Sequence, residues 1–253
     1  MKPNRMKEKL AAGNTVFGVV IRFPAPALVE MFGHIGFDYV MLDREHGSIS
    51  EEGCETMLMA ADAAGYSTVL RVPYLHEKEI MRTLDIGAQG VQVPMINTRA
   101  DAESMARAAK YYPLGERGMA LPRSGDYGMT LTGPAYYSFA NDNVLTLAHI
   151  ETVEAVGNIA EMAQVPGIDV FFIGPSDLSQ SLGFPGQNDH PVVLAKIEEA
   201  ICKIIAGGKI PGIFAGSAAA ILKYKSMGVR VLLTSADALI KTVSLDYLKT
   251  VRQ

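Results

Sequence analysis

Asp43, Glu45 and His46 sit within one short stretch, Arg71 ends an apolar run, and Glu151 and Asp177 stand 26 positions apart, each just past the end of an apolar run. Two carboxylates at neighbouring points, completed by water, make a hard-oxygen site. Such a site suits Mg²⁺, Mn²⁺ or Co²⁺ with positions left open for substrate, unlike the closed nitrogen and sulfur sets of structural zinc. Taken singly, each carboxylate also fits a helix cap or an ion pair. His46 lies three residues beyond Asp43, so the carboxylate can orient the imidazole and raise its basicity, making His46 a candidate base. The other reading is a loop histidine without a partner, the reading given to His34, His76 and His190. A guanidinium at a strand end, near the axis of a closed sheet, requires an anion. For Arg71 that anion is Asp43, Glu45, a substrate carboxylate or an enolate, and the sequence leaves the choice open. Schiff-base chemistry needs an amine on a strand, and none of the apolar runs contains lysine. Lewis-acid polarisation of a carbonyl is the consistent alternative.

These residues need elements to position them. Eight short apolar runs recur: Phe17–Ile21, Tyr39–Asp43, Ser67–Arg71, Gln89–Val93, Thr146–Ile150, Val170–Ile173, Ile210–Phe214 and Arg230–Leu233. They are continuous rather than alternating, the signature of parallel strands covered on both faces. Helix signals lie between them: Thr98 with Asp101 as a capping box, Asn188 or Asp189 capping ahead of Pro191, and Gly228 closing a helix over Ile221–Met227. Eight strands alternating with helices in 253 residues predict a single (β/α)₈ TIM barrel over the whole chain. An open doubly wound sheet is disfavoured because Gly18-Val19-Val20 offers no glycine-rich phosphate turn. Residues 111–145 break the rhythm and are expected to form a long irregular lid or interface segment.

Composition narrows the classes. With 49% hydrophobic and 20% charged residues the chain can bury a large core, and no apolar run reaches the ~18 residues of a membrane span. A net charge of −4 without a basic block argues against nucleic-acid and membrane-surface partners and points to a small molecule. Cys54 and Cys202 match no metal or redox spacing, and the lysine-rich start has no secretory pattern, so reduced thiols and a cytoplasmic location are expected.

The stretches Gly36-Phe37-Asp38 to Leu42-Asp43-Arg44-Glu45-His46, Val69 to Pro73, Leu84-Asp85-Ile86-Gly87-Ala88-Gln89 with Val93-Pro94-Met95, Tyr112-Pro113 to Arg117-Gly118, Ile150-Glu151-Thr152 and Phe172 to Ser179 together resemble the HpcH/HpaI aldolase family. The resemblance runs from about Gly18 to Asp237. It implies a phosphoenolpyruvate/pyruvate-type barrel and a class II pyruvate aldolase that reversibly cleaves 4-hydroxy-2-oxo acids to pyruvate and an aldehyde. Glu151 and Asp177 would hold the divalent metal, pyruvate would chelate it, and amides around Ser176 and Asp177 would cradle the carboxylate. Arg71 would stabilise the enolate oxygen, His46 with Asp43 would manage the proton, and Asp85 would support Arg71 or a neighbouring chain. Arg123, in the long segment, is expected to meet a distal carboxylate of the aldehyde. His149 stands where the family commonly has glutamine, which changes the inner surface beside the metal.

Two other readings keep the barrel: decarboxylation or another enolpyruvate reaction on the same site, and a noncatalytic keto-acid binder. Relatives of this kind assemble as hexamers, trimers of dimers, with a terminal helix packed on a neighbour. Ala236–Val251 is amphipathic and fits either that exchange or an ordinary eighth barrel helix.

Overall fold

Continuous apolar strands are stable only when both of their faces are covered, and the architecture covers both. The computed structural model describes residues 2–253. Its strands are β1 (Val16–Ile21), β2 (Tyr39–Asp43), β3 (Ser67–Arg71), β4 (Gly90–Val93), β5 (Leu145–Ile150), β6 (Val170–Ile173), β7 (Ile210–Phe214) and β8 (Val231–Ser235). They pair in chain order and close as a barrel, with β1 parallel to β8. Four strands match the sequence reading to the residue. The largest difference is at β8, which runs on through Thr234 and Ser235 because these polar residues pair with Val19 and Val20.

Between the strands run α2 (Pro26–Ile35), α3 (Glu51–Ala64), α4 (Glu77–Asp85), α5 (Arg99–Ala109), α6 (Gly133–Asn143), α7 (Val153–Met162), α8 (Pro175–Ser181), α9 (Pro191–Ala206) and α10 (Ala218–Ser226), with α1 (Arg5–Ala11) before β1 and α11 (Ala236–Val251) after β8. Thr98 and Asp101 form the reciprocal capping box at α5. At α9 the cap is His190, whose ring accepts from the Val192 amide, and not Asn188 or Asp189. Helix α1, which hydrophobic periodicity did not announce, plugs the amino end of the barrel: Met6 and Leu10 join the interior cluster with Val20, Met41 and Phe172.

A helix that follows a strand starts at the carboxyl rim of the barrel and ends at the amino rim, so a connection from helix to strand lies at the amino rim. The segment between α5 and β5 is such a connection. Lys110 donates to the carbonyls of Asn141 and Val144, and Asn4 donates to the carbonyls of Gln89 and Asn143, all at that rim. Residues 111–145 are therefore not a lid over the carboxyl rim of their own barrel. Nor are they wholly irregular, since they contain a 3-10 turn over Arg123–Gly128 and α6.

Helix α11 leaves its own barrel. Only Ala236 is buried, while Ile240, Val243, Leu245, Tyr247 and Val251 lie exposed. Both cysteines are free thiols, and no helix among the described residues is long and apolar enough to cross a membrane.

Close packing in the interior gives one test. Gly18 pairs with Tyr39 across β1 and β2, and a Cβ on Gly18 would come within 2.2 Å of the Tyr39 ring. Gly18→Ala should destabilise by about 1–3 kcal/mol through overpacking, read as a lowered melting temperature in calorimetry. An unchanged melting temperature would show that the ring is not held there.

Candidate active site

Where the strands end, the barrel mouth opens into a cavity of about 270 Å³. Val20, Met41, Phe172, Phe214 and Leu233 line its apolar part, and Arg22, His46, Arg71, Gln92, His149, Ser176 and Asp177 line its polar part. A larger hollow of about 430 Å³ lies at the amino rim among Lys2, Arg5, Asp62 and Gln89. The chemistry nevertheless gathers at the smaller one, because it lies at the carboxyl ends of the strands and takes Arg22, Arg71 and Asp177 from them. Among the described residues no lysine lines it, in keeping with the lysine-free strands.

Asp43 and Arg71 end adjacent strands in register, so their side chains meet without any loop to place them. Asp43 is fully buried and takes both arms of the fork, Arg71 Nε to Oδ1 at 2.9 Å and Nη2 to Oδ2 at 2.6 Å. The amides of Glu45 and His46 also donate to Oδ1, and Arg22 Nε donates to Oδ2. Burial alone would raise the Asp43 carboxyl, but these donors and the Arg71 charge outweigh it and hold the group below 3.8. The expectation for His46 needs correcting here. Asp43 holds the backbone of that turn, whereas the carboxylate facing the imidazole is Glu45, with Oε2 3.7 Å from Nε2. Arg71 Nη1 lies 2.9 Å from the same Glu45 oxygen. The anion left open for Arg71 is thus both aspartate and glutamate.

Glu151 follows β5 and is 2% exposed. Its Oε1 accepts from the Met95 amide at 2.7 Å. Met95 itself has φ 55°, a left-handed conformation costly for a branchless but bulky side chain, so its amide is held in a strained turn just beyond β4. The second oxygen, Oε2, lies 3.0 Å from His149 Nδ1. Burial first, then the charges of Glu45 and Asp177, push the Glu151 carboxyl up to about 7 against the Met95 amide and Arg71. Burial and then the Arg71 charge keep His149 well below 6.5, so the ring is neutral and the contact is no ion pair. Gly174 permits the crowding: a Cβ there would fall 2.6 Å from His149 Nε2 and 3.1 Å from Glu151 Oε2. Asp177 lies exposed in the first turn of α8, beside Ser176.

A divalent cation fits this donor set. Burial raises the carboxyls of both Glu45 and Glu151, and the charge of Asp177 adds to each. Among the described residues no group of three or more His, Cys, Asp or Glu side chains is gathered so that it could hold a metal ion, so a cation here would rest on two protein carboxylates, with substrate and water completing its shell.

Two residues expected at the site lie elsewhere in this chain. Asp85, at the end of α4, accepts from Arg117 Nη2 at 2.6 Å and does not reach Arg71 of its own chain, which leaves the neighbouring chain as its expected partner. Arg123 donates to Asp62 at 2.6 Å and to the Ile86 carbonyl, at the amino rim, so it does not reach an aldehyde bound in its own barrel. Conversely, Arg22 and Gln92 line the cavity and were not singled out. Gln92 carried a usable signal, being a polar residue on the inward face of β4, and neither of its amide atoms has a partner.

Comparison with known proteins bears on this geometry. The profile of the family described as HpcH/HpaI aldolase/citrate lyase matches residues 18–231. A 4-hydroxy-2-oxo-heptane-1,7-dioate aldolase of Salmonella typhimurium is 35% identical over 236 residues, 92% of this chain and 89% of the relative. Among solved structures, an HpcH/HpaI aldolase from Desulfitobacterium hafniense DCB-2 superposes with a TM-score of 0.94 at 30% identity, covering 100% of this chain and 98% of that one. An HpcH/HpaI aldolase/citrate lyase family protein from Burkholderia cenocepacia J2315 gives 0.93 at 30% identity over 99% and 100%.

The buried fork predicts the acid limb of stability. Because the folded Asp43 carboxyl lies below 3.8, its contribution is complete above that value and is lost as pH falls through the folded one. Asp43→Asn removes it and leaves Arg71 with Glu45 as its one carboxylate partner, at a cost of up to about 3–5 kcal/mol. Chemical denaturation at descending pH should give the variant a lower stability at neutral pH and a shallower acid decline. Superimposable profiles would contradict the assignment.

Proposed function

The chain belongs to the HpcH/HpaI aldolase/citrate lyase family and is a lyase of the aldolase kind, and from that premise we propose that it is a divalent-metal-dependent pyruvate aldolase. Its reaction is the reversible cleavage of a 4-hydroxy-2-oxo acid into pyruvate and an aldehyde. The observation that supports the reading is that Glu151, raised to about 7 by burial and by the charges of Glu45 and Asp177, ends β5 at the same barrel mouth as the buried Arg71.

Glu151 and Asp177 would hold the cation, Mg²⁺, Mn²⁺ or Co²⁺, which when bound supplies Lewis-acid polarisation of the keto group. The chain's own residues do the rest. Arg71, fixed by Asp43 and lining the cavity, would turn its guanidinium charge to the oxygen where negative charge gathers as the carbon–carbon bond breaks. Backbone amides of Ser176 and Asp177 lie in the first turn of α8, have no acceptor within the helix, and take the substrate carboxylate. His46, 55% exposed at the cavity and facing Glu45, removes the proton from the 4-hydroxyl and returns one to pyruvate C3. Met41, Phe172 and Leu233 close the floor against water.

The exposed apolar stripe of α11 supports homo-oligomerisation through that helix onto a second copy of the chain. Val243→Asp should lower the mass seen by light scattering. A wild-type protein that is already monomeric at the same concentration would refute this part.

The catalytic reading is tested by chelator-stripped protein assayed for pyruvate C3 proton exchange by NMR and for pyruvate release from a panel of 4-hydroxy-2-oxo acids. Mg²⁺, Mn²⁺ or Co²⁺ should restore both, and Arg71→Lys should lower kcat roughly 10²–10³-fold, as loss of an oxyanion donor does. Equal rates with and without cation would end the reading.

A further inference from the structure

Val20, Met41, Phe172, Phe214 and Leu233 make the cavity wall apolar on β1, β2, β6, β7 and β8. On β4 the wall is an amide. Side chains alternate across a strand, and the face of β4 that carries Gln92 turns inward to line the cavity. Gln92 is 1% exposed, and neither its Oε1 nor its Nε2 has a hydrogen-bond partner. Among the described residues that line the cavity, no other side chain leaves two buried polar atoms in that state. In a closed core such an amide is a plain loss, since its bonds to water are given up for nothing. At the wall of a ligand cavity it is one of the few placed polar groups that an otherwise apolar site uses to orient what binds there.

Strand register says what the amide would meet. Gln92 pairs with Arg71 across β3 and β4 and with Leu147 across β4 and β5, so it stands between the strand that ends in Arg71 and the strand that leads to Glu151. Each of the three guanidinium nitrogens of Arg71 already lies 2.6–2.9 Å from a carboxylate oxygen of Asp43 or Glu45. No carboxylate claims the Gln92 amide. We propose that Gln92 is a further catalytic residue of this chain, whose Nε2 donates to the C2 oxygen of the substrate beside Arg71, in a bond that strengthens as the enolate forms. The inference rests on the pyruvate reading above and deepens it, giving the developing oxyanion an uncommitted neutral donor besides a shared cation.

The test uses the full-length chain, supplied with Mg²⁺, Mn²⁺ or Co²⁺, as wild type and as Gln92→Met, which keeps the side-chain length and removes both polar atoms. Calorimetry of the ligand-free proteins should give the variant a melting temperature equal to or above that of wild type, because two unpartnered atoms are gone. Pyruvate C3 proton exchange, followed by NMR, should slow roughly 10²-fold in kcat, as loss of an oxyanion donor does, with KM changed far less. Should Gln92→Met not fold, Gln92→Leu is read in the same way. A lowered melting temperature with exchange at the wild-type rate would make Gln92 a structural residue and overturn the inference while the pyruvate reading stands. A loss carried by KM alone would overturn the oxyanion role. Absence of exchange in wild type with every cation overturns the pyruvate reading and this residue's role with it.

Discussion

A guanidinium at the mouth of a barrel, among apolar side chains, is tenable only if its charge is met, and Arg71 is met by a fully buried Asp43 along two hydrogen bonds. Strand register sets this pair, since Asp43 and Arg71 are partners across β2 and β3. The cation that faces the cavity is thus as rigid as the sheet itself. It needs no loop to close over it.

The negative side of the site is built differently. Glu151 is anchored by one oxygen to a strained amide at Met95, and its other oxygen is left beside His149 in a gap that only glycine at position 174 allows. Burial and neighbouring carboxylates make the ionised glutamate unfavourable in isolation. A site organised this way would gain most from the entry of a positive charge, which would lower the cost of ionising Glu151.

Much of this was legible in the sequence. Continuous apolar runs marked the strands because both faces are buried, and the same runs placed Asp43, Arg71, Glu151 and Asp177 at or just past the carboxyl ends of strands, where the structure has them. The failures have specific causes. Asp85 was linked to Arg71 or a neighbouring chain by resemblance and Arg123 to the aldehyde by its place in the long segment, yet both lie on the helix-to-strand side of the barrel, away from the mouth of their own chain. Counting which connections follow a strand and which follow a helix would have placed residues 111–145 at the amino rim. Helix α1 is too short for its periodicity to register, and its two buried residues act as a plug rather than as one face of an amphipathic helix. Gln92 and the contacts of His149 depend on which strand face turns inward and on packing around Gly174, which one-dimensional pattern does not carry.

The central claim is that the two strand-end carboxylates share one ion. A crystal soaked with Mn²⁺ and pyruvate, recorded near the manganese edge, tests it most directly. The account predicts a single anomalous peak within bonding distance of both Glu151 and Asp177. A map without a peak between them, or with manganese bound only elsewhere, would contradict it.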